Sequence, residues 1–333
     1  MFHLPIAKTE SGREGRAQPR SVRLSLTDRC DLACVYCRPN RSEGYLERRL
    51  DLEAWSTMAA GLVRAGVRRV RLTGGEPLLH RDVVEVVRRL GALSLDDLAL
   101  TTNATRLTKL ARPLKDAGLR RITISLDTLD PQRFARLTRG GELAPVLEGI
   151  EAACAAGFDE VKLNAVVLRG ENDDELPALV HYAWERRIVP RFLEVMLIGE
   201  GAKMRDRVVP AAEMRARLAD LLVDEPPERE HDRGPARYVR ARHDPRRKVG
   251  FISGTTDTYC KGCDRLRVSS DGVLRPCLAT NDGVAAEQAA RAGDVVGIDA
   301  LLQEAWTMKP DGETFRGCTE ESAASVSIRA IGG

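Results

Sequence analysis

From residue 22 to residue 196, strand-like and helix-like segments alternate without interruption, and this rhythm constrains the fold more than any other feature. VRLSL (22–26) precedes a cysteine-bearing loop and then LDLEAWSTMAAGLVRAG, whose apolar spacing is helical. RRVRLTGG, the helix RDVVEVVRRLGAL, LALTTNA, the helix LTKLARPLKDAG and RRITISLD follow. A helical stretch over 131–156, the strand EVKLNAVVL, the helix ELPALVHYAWERR and the strand PRFLEVM complete six strands separated by helices. That order predicts an α/β fold with a parallel sheet and right-handed crossovers. Gly66, Gly118 and Gly157 fall where three of the helices should end.

Special residues gather just after the strands: the cysteine loop, Gly74 to Pro77, Thr102 and Asn103, Ser125 and Asp127, and Met196. In parallel α/β folds the ligand site lies at the C-terminal strand ends, so these residues are expected to form one site. Beyond residue 200 the pattern changes. EREHDRGPARYVRARHDPRRK carries eight basic and four acidic residues and reads as a solvated hairpin or loop. A second cysteine-bearing region, a weaker helical stretch and a small-residue tail ending SIRAIGG follow.

A chain of 333 residues accommodates two domains or one barrel with an extension. Its first 20 residues contain no apolar core of a signal peptide and read as a mobile arm. No apolar run approaches the roughly 18 residues of a membrane span, so a cytoplasmic protein without a membrane partner is expected. A net charge of +3 and 4% aromatic residues do not point to nucleic acid.

Eight cysteines without a secretion signal suggest metal or redox chemistry more than a disulfide scaffold. Six form two triplets: Cys30, Cys34 and Cys37, then Cys260, Cys263 and Cys277. Cys154, on an apolar helix face, reads as a small core residue, and Cys318 has no assigned role. A closed structural metal site usually takes four ligands, whereas three leave a position open for chemistry. Three thiolates suit an iron–sulfur cluster with one exposed iron; zinc with a distant fourth ligand, such as Cys318 for the second triplet, is the competitor.

The C-x3-C-x2-C loop of CDLACVYC, with Tyr36 before the last cysteine, resembles that of radical S-adenosylmethionine (SAM) enzymes. Leu72 to Pro77 contains GGEP, which resembles the same family's second motif. The second triplet, the text CDRLRVSSDGVLRPCL and the terminal Gly332-Gly333 are similar to the GTP 3′,8-cyclase family, which begins molybdenum cofactor biosynthesis. The resemblance runs from about residue 20 to the end. It implies a partial (β/α)6 radical SAM barrel over residues 21–200. Residues 201–333 would then carry a second [4Fe–4S] cluster, the substrate-binding region and the Gly-Gly tail.

The implied reaction is cyclisation of GTP to (8S)-3′,8-cyclo-7,8-dihydroguanosine 5′-triphosphate, using SAM and two [4Fe–4S] clusters held by the six cysteines. Matched by position, Tyr36, Gly75, Glu76, Ser125 and Met196 would bind SAM. Arg23, Arg71, Thr102, Lys162, Arg265 and Arg267 would bind GTP, and Gly332 and Gly333 would enter the active site. Arginine's planar fork suits phosphate oxygens. The implied partners are a reducing electron donor and a downstream cyclic pyranopterin monophosphate synthase, with room for a homodimer. Asp31 and Ala33 stand where the family commonly has Asn and Arg, and Arg38 where Met is frequent; all three thiols are kept. A related radical SAM enzyme acting on a peptide or another small molecule, and a zinc-stabilised binding protein, are the competing readings.

Overall fold

The computed structural model describes residues 18–38, 40, 42, 44–230, 234–260, 262–310 and 328–331. The N-terminal arm up to residue 17, Cys318, Gly332 and Gly333 lie outside the described residues.

The alternating segments form β1 (Ser21–Ser25), α1 (Leu52–Arg64), β2 (Arg69–Thr73), α2 (Val83–Gly91), β3 (Asp97–Thr102) and α3 (Leu107–Asp116). They continue as β4 (Arg121–Ser125), α4 (Pro131–Leu137), α5 (Ala144–Ala156), β5 (Glu160–Val167), α6 (Leu176–Glu185) and β6 (Val189–Glu194). The helical stretch expected over 131–156 is therefore two helices, separated by a turn in which Arg139 (φ 53°) and Gly140 (φ 97°) are left-handed. Asp130 starts α4 by accepting from the Arg133 N–H at 2.7 Å, beside a proline in the first turn. Gly66, Gly118 and Gly157 all have positive φ where helices end, as their positions predict.

The second half adds α7 (Ala211–Ala216), β7 (Glu228–Arg229), β8 (Arg237–Arg240), β9 (Lys248–Ile252), β10 (Arg265–Val268), β11 (Val273–Arg275) and β12 (Val284–Ala285). Helices α8 (Glu287–Arg291), α9 (Val295–Thr307) and α10 (Ile328–Ile331) complete it. The twelve strands among the described residues belong to one sheet, in the order β12-β11-β10-β1-β2-β3-β4-β5-β6-β9-β8-β7. Strand β10 runs parallel to β1, and β9 parallel to β6. The barrel is thus a partial one whose two edges are each extended by a strand from the C-terminal region and then by an antiparallel pair. The basic segment after residue 227 lies there, as part of a hairpin, with β8 pairing antiparallel to β9.

Period-two alternation divides each strand between two environments. Val22, Leu24, Val70, Leu72, Leu98, Leu100, Ile122, Ile124, Leu163 and Phe192 are buried in one core with the helices. The intervening positions face the inside of the barrel and include Arg23, Arg71, Thr101, Thr123, Lys162, Asn164 and Arg191, together with apolar Ala99, Val166, Val189 and Leu193. Helix α9 packs on α1 where Gly61 leaves room: a Cβ there would lie 2.5 Å from Ile298. The C-terminal region is bound to the barrel by helix packing as well as by strands.

Candidate active site

The cysteine loop and the GGEP loop are built against each other. Gly75 N–H donates to the Thr27 carbonyl and Glu76 N–H to the Arg29 carbonyl, both at 2.7 Å. A Cβ on Gly75 would lie 2.3 Å from the Arg29 oxygen, and one on Gly74 2.4 Å from that of Thr27. The two glycines therefore permit close backbone approach, and the backbone they approach is that of the cysteine loop.

Glu76 is buried and accepts from Thr102 Oγ1 (2.7 Å), Leu78 N–H (3.0 Å) and Asn103 N–H (2.7 Å). Burial pushes its carboxyl up to about 7 against the pull of these donors. Asn103 Nδ2 donates to Asp31 Oδ1 at 2.8 Å, and Thr105 Oγ1 donates to Asp31 Oδ2 at 2.7 Å. Asp31 is thereby tied to the end of β3. Tyr36 donates its hydroxyl to Asp127 at 2.7 Å, and Asp127 also accepts from Val166 N–H. Ser125 ends β4, beside Asn164 of β5, and is half-buried.

All seven described cysteines are half-buried thiols. Among the described residues, no three His, Cys, Asp or Glu side chains are gathered tightly around one ion position. Each triplet is a looser set whose sulfurs act on one another electrostatically. Burial pushes the Cys30 and Cys34 thiols well up, with Glu76 and Asp127 respectively adding to it. Deprotonating such thiols calls for a cationic centre among them, which is what cluster iron provides. In the second triplet burial pushes Cys263 up, but Arg265 and Lys309 outweigh it and bring the thiol to about 7. Arg265 Nε donates to Cys263 Sγ at 3.3 Å and Ala279 N–H to Cys277 Sγ at 3.4 Å, the N–H···S contacts that tune cluster ligands. Both donor sets fit iron–sulfur clusters.

Between the triplets lies a band of cations. Register places Arg267, Arg23 and Arg71 side by side on β10, β1 and β2. The same inner face carries Thr101, Thr123, Lys162, Asn164 and Arg191 across β3 to β6. Arg71 Nη1 donates to Thr123 Oγ1 at 3.1 Å; Arg191 donates to Asn164 Oδ1 at 2.8 Å and to Thr123 at 3.2 Å. Gly250 makes room for Arg191, since a Cβ there would sit 2.8 Å from its stem and from the Tyr238 ring. Lys162 is buried, paired with Glu160 at 2.8 Å, and lies 5.8 Å from the Tyr238 ring centre.

Burial and mutual repulsion lower Arg23 well below its usual range and bring both Arg71 and Arg267 to about 10. Burial, with Arg191 beside it, brings Lys162 to about 8. Arg265 stacks 4.7 Å over the Tyr259 ring, and the Tyr259 hydroxyl donates to Met196 Sδ at 3.7 Å. Arg267 donates to the Ile331 carbonyl at 3.2 Å, so the chain end is held at this band two residues before Gly333. Ile331 is fully buried with Ile198, Leu278 and Ala279.

The structure thus brings Arg23, Arg71, Lys162, Arg265 and Arg267 to one inner face, and Tyr36, Gly75, Glu76 and Ser125 to the strand-end rim. Thr102 points the other way from that band, its hydroxyl on Glu76; Thr101 is the neighbour that faces Arg71, at 3.4 Å. Arg191, Thr123, Asn164 and Tyr259 were not singled out from sequence. Alternation along EVKLNAVV and PRFLE, which places Lys162, Asn164 and Arg191 on one face, was the available signal. Cys154 lies apart, its thiol directed at the Arg186 carbonyl.

Residues 24–183 match the Radical SAM superfamily, and residues 188–315 match Molybdenum Cofactor Synthesis C. A GTP 3′,8-cyclase of Pseudomonas entomophila is 42% identical, covering 87% of this chain and 88% of its own. The chain belongs to the GTP 3′,8-cyclase family. GTP 3′,8-cyclase 1 of Pseudomonas aeruginosa is 47% identical over 77% of this chain and 79% of the relative. Among solved structures, Streptococcus suis SuiB bound to S-adenosylmethionine superposes with a TM-score of 0.61 at 16% identity. That match covers 90% of this chain and 66% of SuiB, and the likeness is one of fold. Membership in the family sets aside the zinc-stabilised binding protein. No helix among the described residues is long and apolar enough to cross a membrane.

Proposed function

We propose that this chain cyclises GTP to (8S)-3′,8-cyclo-7,8-dihydroguanosine 5′-triphosphate, the first step of molybdenum cofactor biosynthesis. The observation that carries the reading is the row Arg267-Arg23-Arg71 with Lys162 and Arg191, of which Arg267, Lys162 and Arg191 are buried and Arg23 and Arg71 half-buried, lying between two cysteine triplets. Cations lowered by burial and repulsion call for a polyanion, and a triphosphate supplies one. SAM would sit on the rim, between Tyr36, Gly75, Ser125 and Met196.

When bound, the cluster at Cys30, Cys34 and Cys37 and its SAM supply an electron and a 5′-deoxyadenosyl radical. The protein's own residues do the positioning. Asp127 orients Tyr36, Glu76 joins the GGEP loop to the β3 end, and Tyr259 separates Met196 from the arginines. The inner face fixes the phosphates so that the ribose points to the rim. The hydrogen atom leaves C3′, the C3′–C8 bond forms, and one further electron and a proton complete the product. A second cluster on Cys260, Cys263 and Cys277 belongs to this reading, with Arg265 linking a ligand sulfur to the substrate band. So do an external electron donor and transfer of the product to a cyclic pyranopterin monophosphate synthase.

Deuterium placed at C3′ of GTP tests the geometry: 5′-deoxyadenosine formed in turnover should carry that deuterium. Unlabelled 5′-deoxyadenosine alongside consumed GTP would place the abstraction elsewhere and refute the arrangement.

A further inference from the structure

The turn between α4 and α5 contains the feature the reaction does not explain. Arg139 holds φ at 53°, a conformation in which a side chain is strained and glycine is favoured. A bulky residue persists there only where its surroundings over-determine it. Its side chain provides the reason. Arg139 Nη1 donates to the Ala33 carbonyl at 3.1 Å and to the Arg38 carbonyl. These two carbonyls immediately flank the segment Cys34 to Cys37.

The same turn grips the loop by main chain as well. Ala33 N–H donates to the Thr138 carbonyl at 3.2 Å, and Val35 N–H donates to that of Leu137 at 2.9 Å. Leu137 packs with Val35 and Tyr36, and Gly141 lies so near Leu32 that a Cβ would stand 2.6 Å from it. Four hydrogen bonds from Leu137 to Arg139 therefore converge on a six-residue stretch carrying two of the three cluster ligands.

We infer that Arg139 is a positioning residue for the SAM-binding cluster: its guanidinium, on the Ala33 and Arg38 carbonyls, closes the Cys34–Cys37 loop and sets a cation beside the cluster. The inference rests on the family reading of the Cys30 loop as a cluster site. It has two consequences. Ligand thiolates held by a closed loop release iron slowly, and a nearby cation stabilises the more negative reduced cluster, raising its potential.

Arg139→Gly isolates the side chain, because glycine accepts the left-handed backbone without strain. Arg139→Ala serves as the second variant. Both are reconstituted anaerobically as full-length protein. Iron loss to a chelator and the midpoint potential of the SAM-binding cluster, followed by electron paramagnetic resonance with SAM present, are then compared with wild type. Arg139→Gly should melt no lower than wild type, yet lose iron from this cluster about tenfold faster, as loss of charged hydrogen bonds predicts. Its potential should also become more negative, with Arg139→Lys recovering the potential more than the iron retention. Wild-type iron loss or an unchanged potential in Arg139→Gly would overturn the inference. Wild-type protein that takes up no iron at all would instead sink the family reading on which it stands.

Discussion

Lys162 offers a test of the cation band that needs no structural change in the fold. Burial, with Arg191 alongside, holds its ammonium at about 8, while the Glu160 partner at 2.8 Å pulls the other way. A triphosphate beside it would restore the ordinary value of roughly 10.4. The sign follows directly. Below pH 8 the free protein already carries the proton and GTP binding is indifferent to pH. Above pH 8 the proton is lost from the free protein and must be regained on binding, so affinity falls. The linkage ceiling is about 3 kcal/mol, from roughly 2.4 pH units at ~1.4 kcal/mol each. Between pH 7.5 and pH 9 the expected loss is just under tenfold, by the same linkage. Equilibrium titration with GTP, in the absence of SAM, measures it. Guanine itself begins to ionise near the upper end, so the Lys162→Arg protein, permanently charged, is the reference that cancels that contribution. A wild-type dissociation constant that tracks Lys162→Arg across this range would refute both the lowered ammonium and its contact with phosphate.

Three further outcomes are expected. Arg267→Ala should weaken GTP binding about ten- to hundredfold, the cost of a charged hydrogen bond, and should also loosen the Ile331 end that Arg267 holds; normal GTP affinity in titration would contradict the assignment. Gly75→Ala places a Cβ 2.3 Å from the Arg29 oxygen, so the GGEP and cysteine loops must separate, and SAM affinity measured by equilibrium dialysis should fall roughly five- to hundredfold, as backbone shifts costing about 1–3 kcal/mol imply. Deleting Gly332 and Gly333 should leave both clusters and 5′-deoxyadenosine formation in place while lowering product formed per 5′-deoxyadenosine; an unchanged ratio and rate would show that the tail has no part in the reaction.

The barrel was legible because its signals are local. Apolar alternation, helix-ending glycines and strand-end clusters each act over a few residues, and six of the strands follow from them. The edges were less legible. KVGFI and RLRV find their parallel partners, β6 and β1, across long stretches of chain, and nothing near either segment announces that pairing. The break at Arg139 was hidden for a similar reason: its left-handed backbone is supported by carbonyls about a hundred residues away in the cysteine loop. In the site, the thiols and Gly-Gly-Glu-Pro were visible because their spacing is itself the chemistry. Lys162 could have faced solvent or a ligand on sequence alone; its burial on the inner face, paired with Glu160, removes the solvent-facing reading. Arg191 lacked a motif, and only the register with Asn164 brings it into the band.

The most direct measurement of the central claim is product identification after anaerobic incubation of the reconstituted protein with SAM, GTP and a strong reductant. Mass spectrometry and nuclear magnetic resonance should find (8S)-3′,8-cyclo-7,8-dihydroguanosine 5′-triphosphate, accumulating in step with 5′-deoxyadenosine. Recovery of GTP unchanged while 5′-deoxyadenosine accumulates, by protein that holds its clusters and binds GTP, would contradict it.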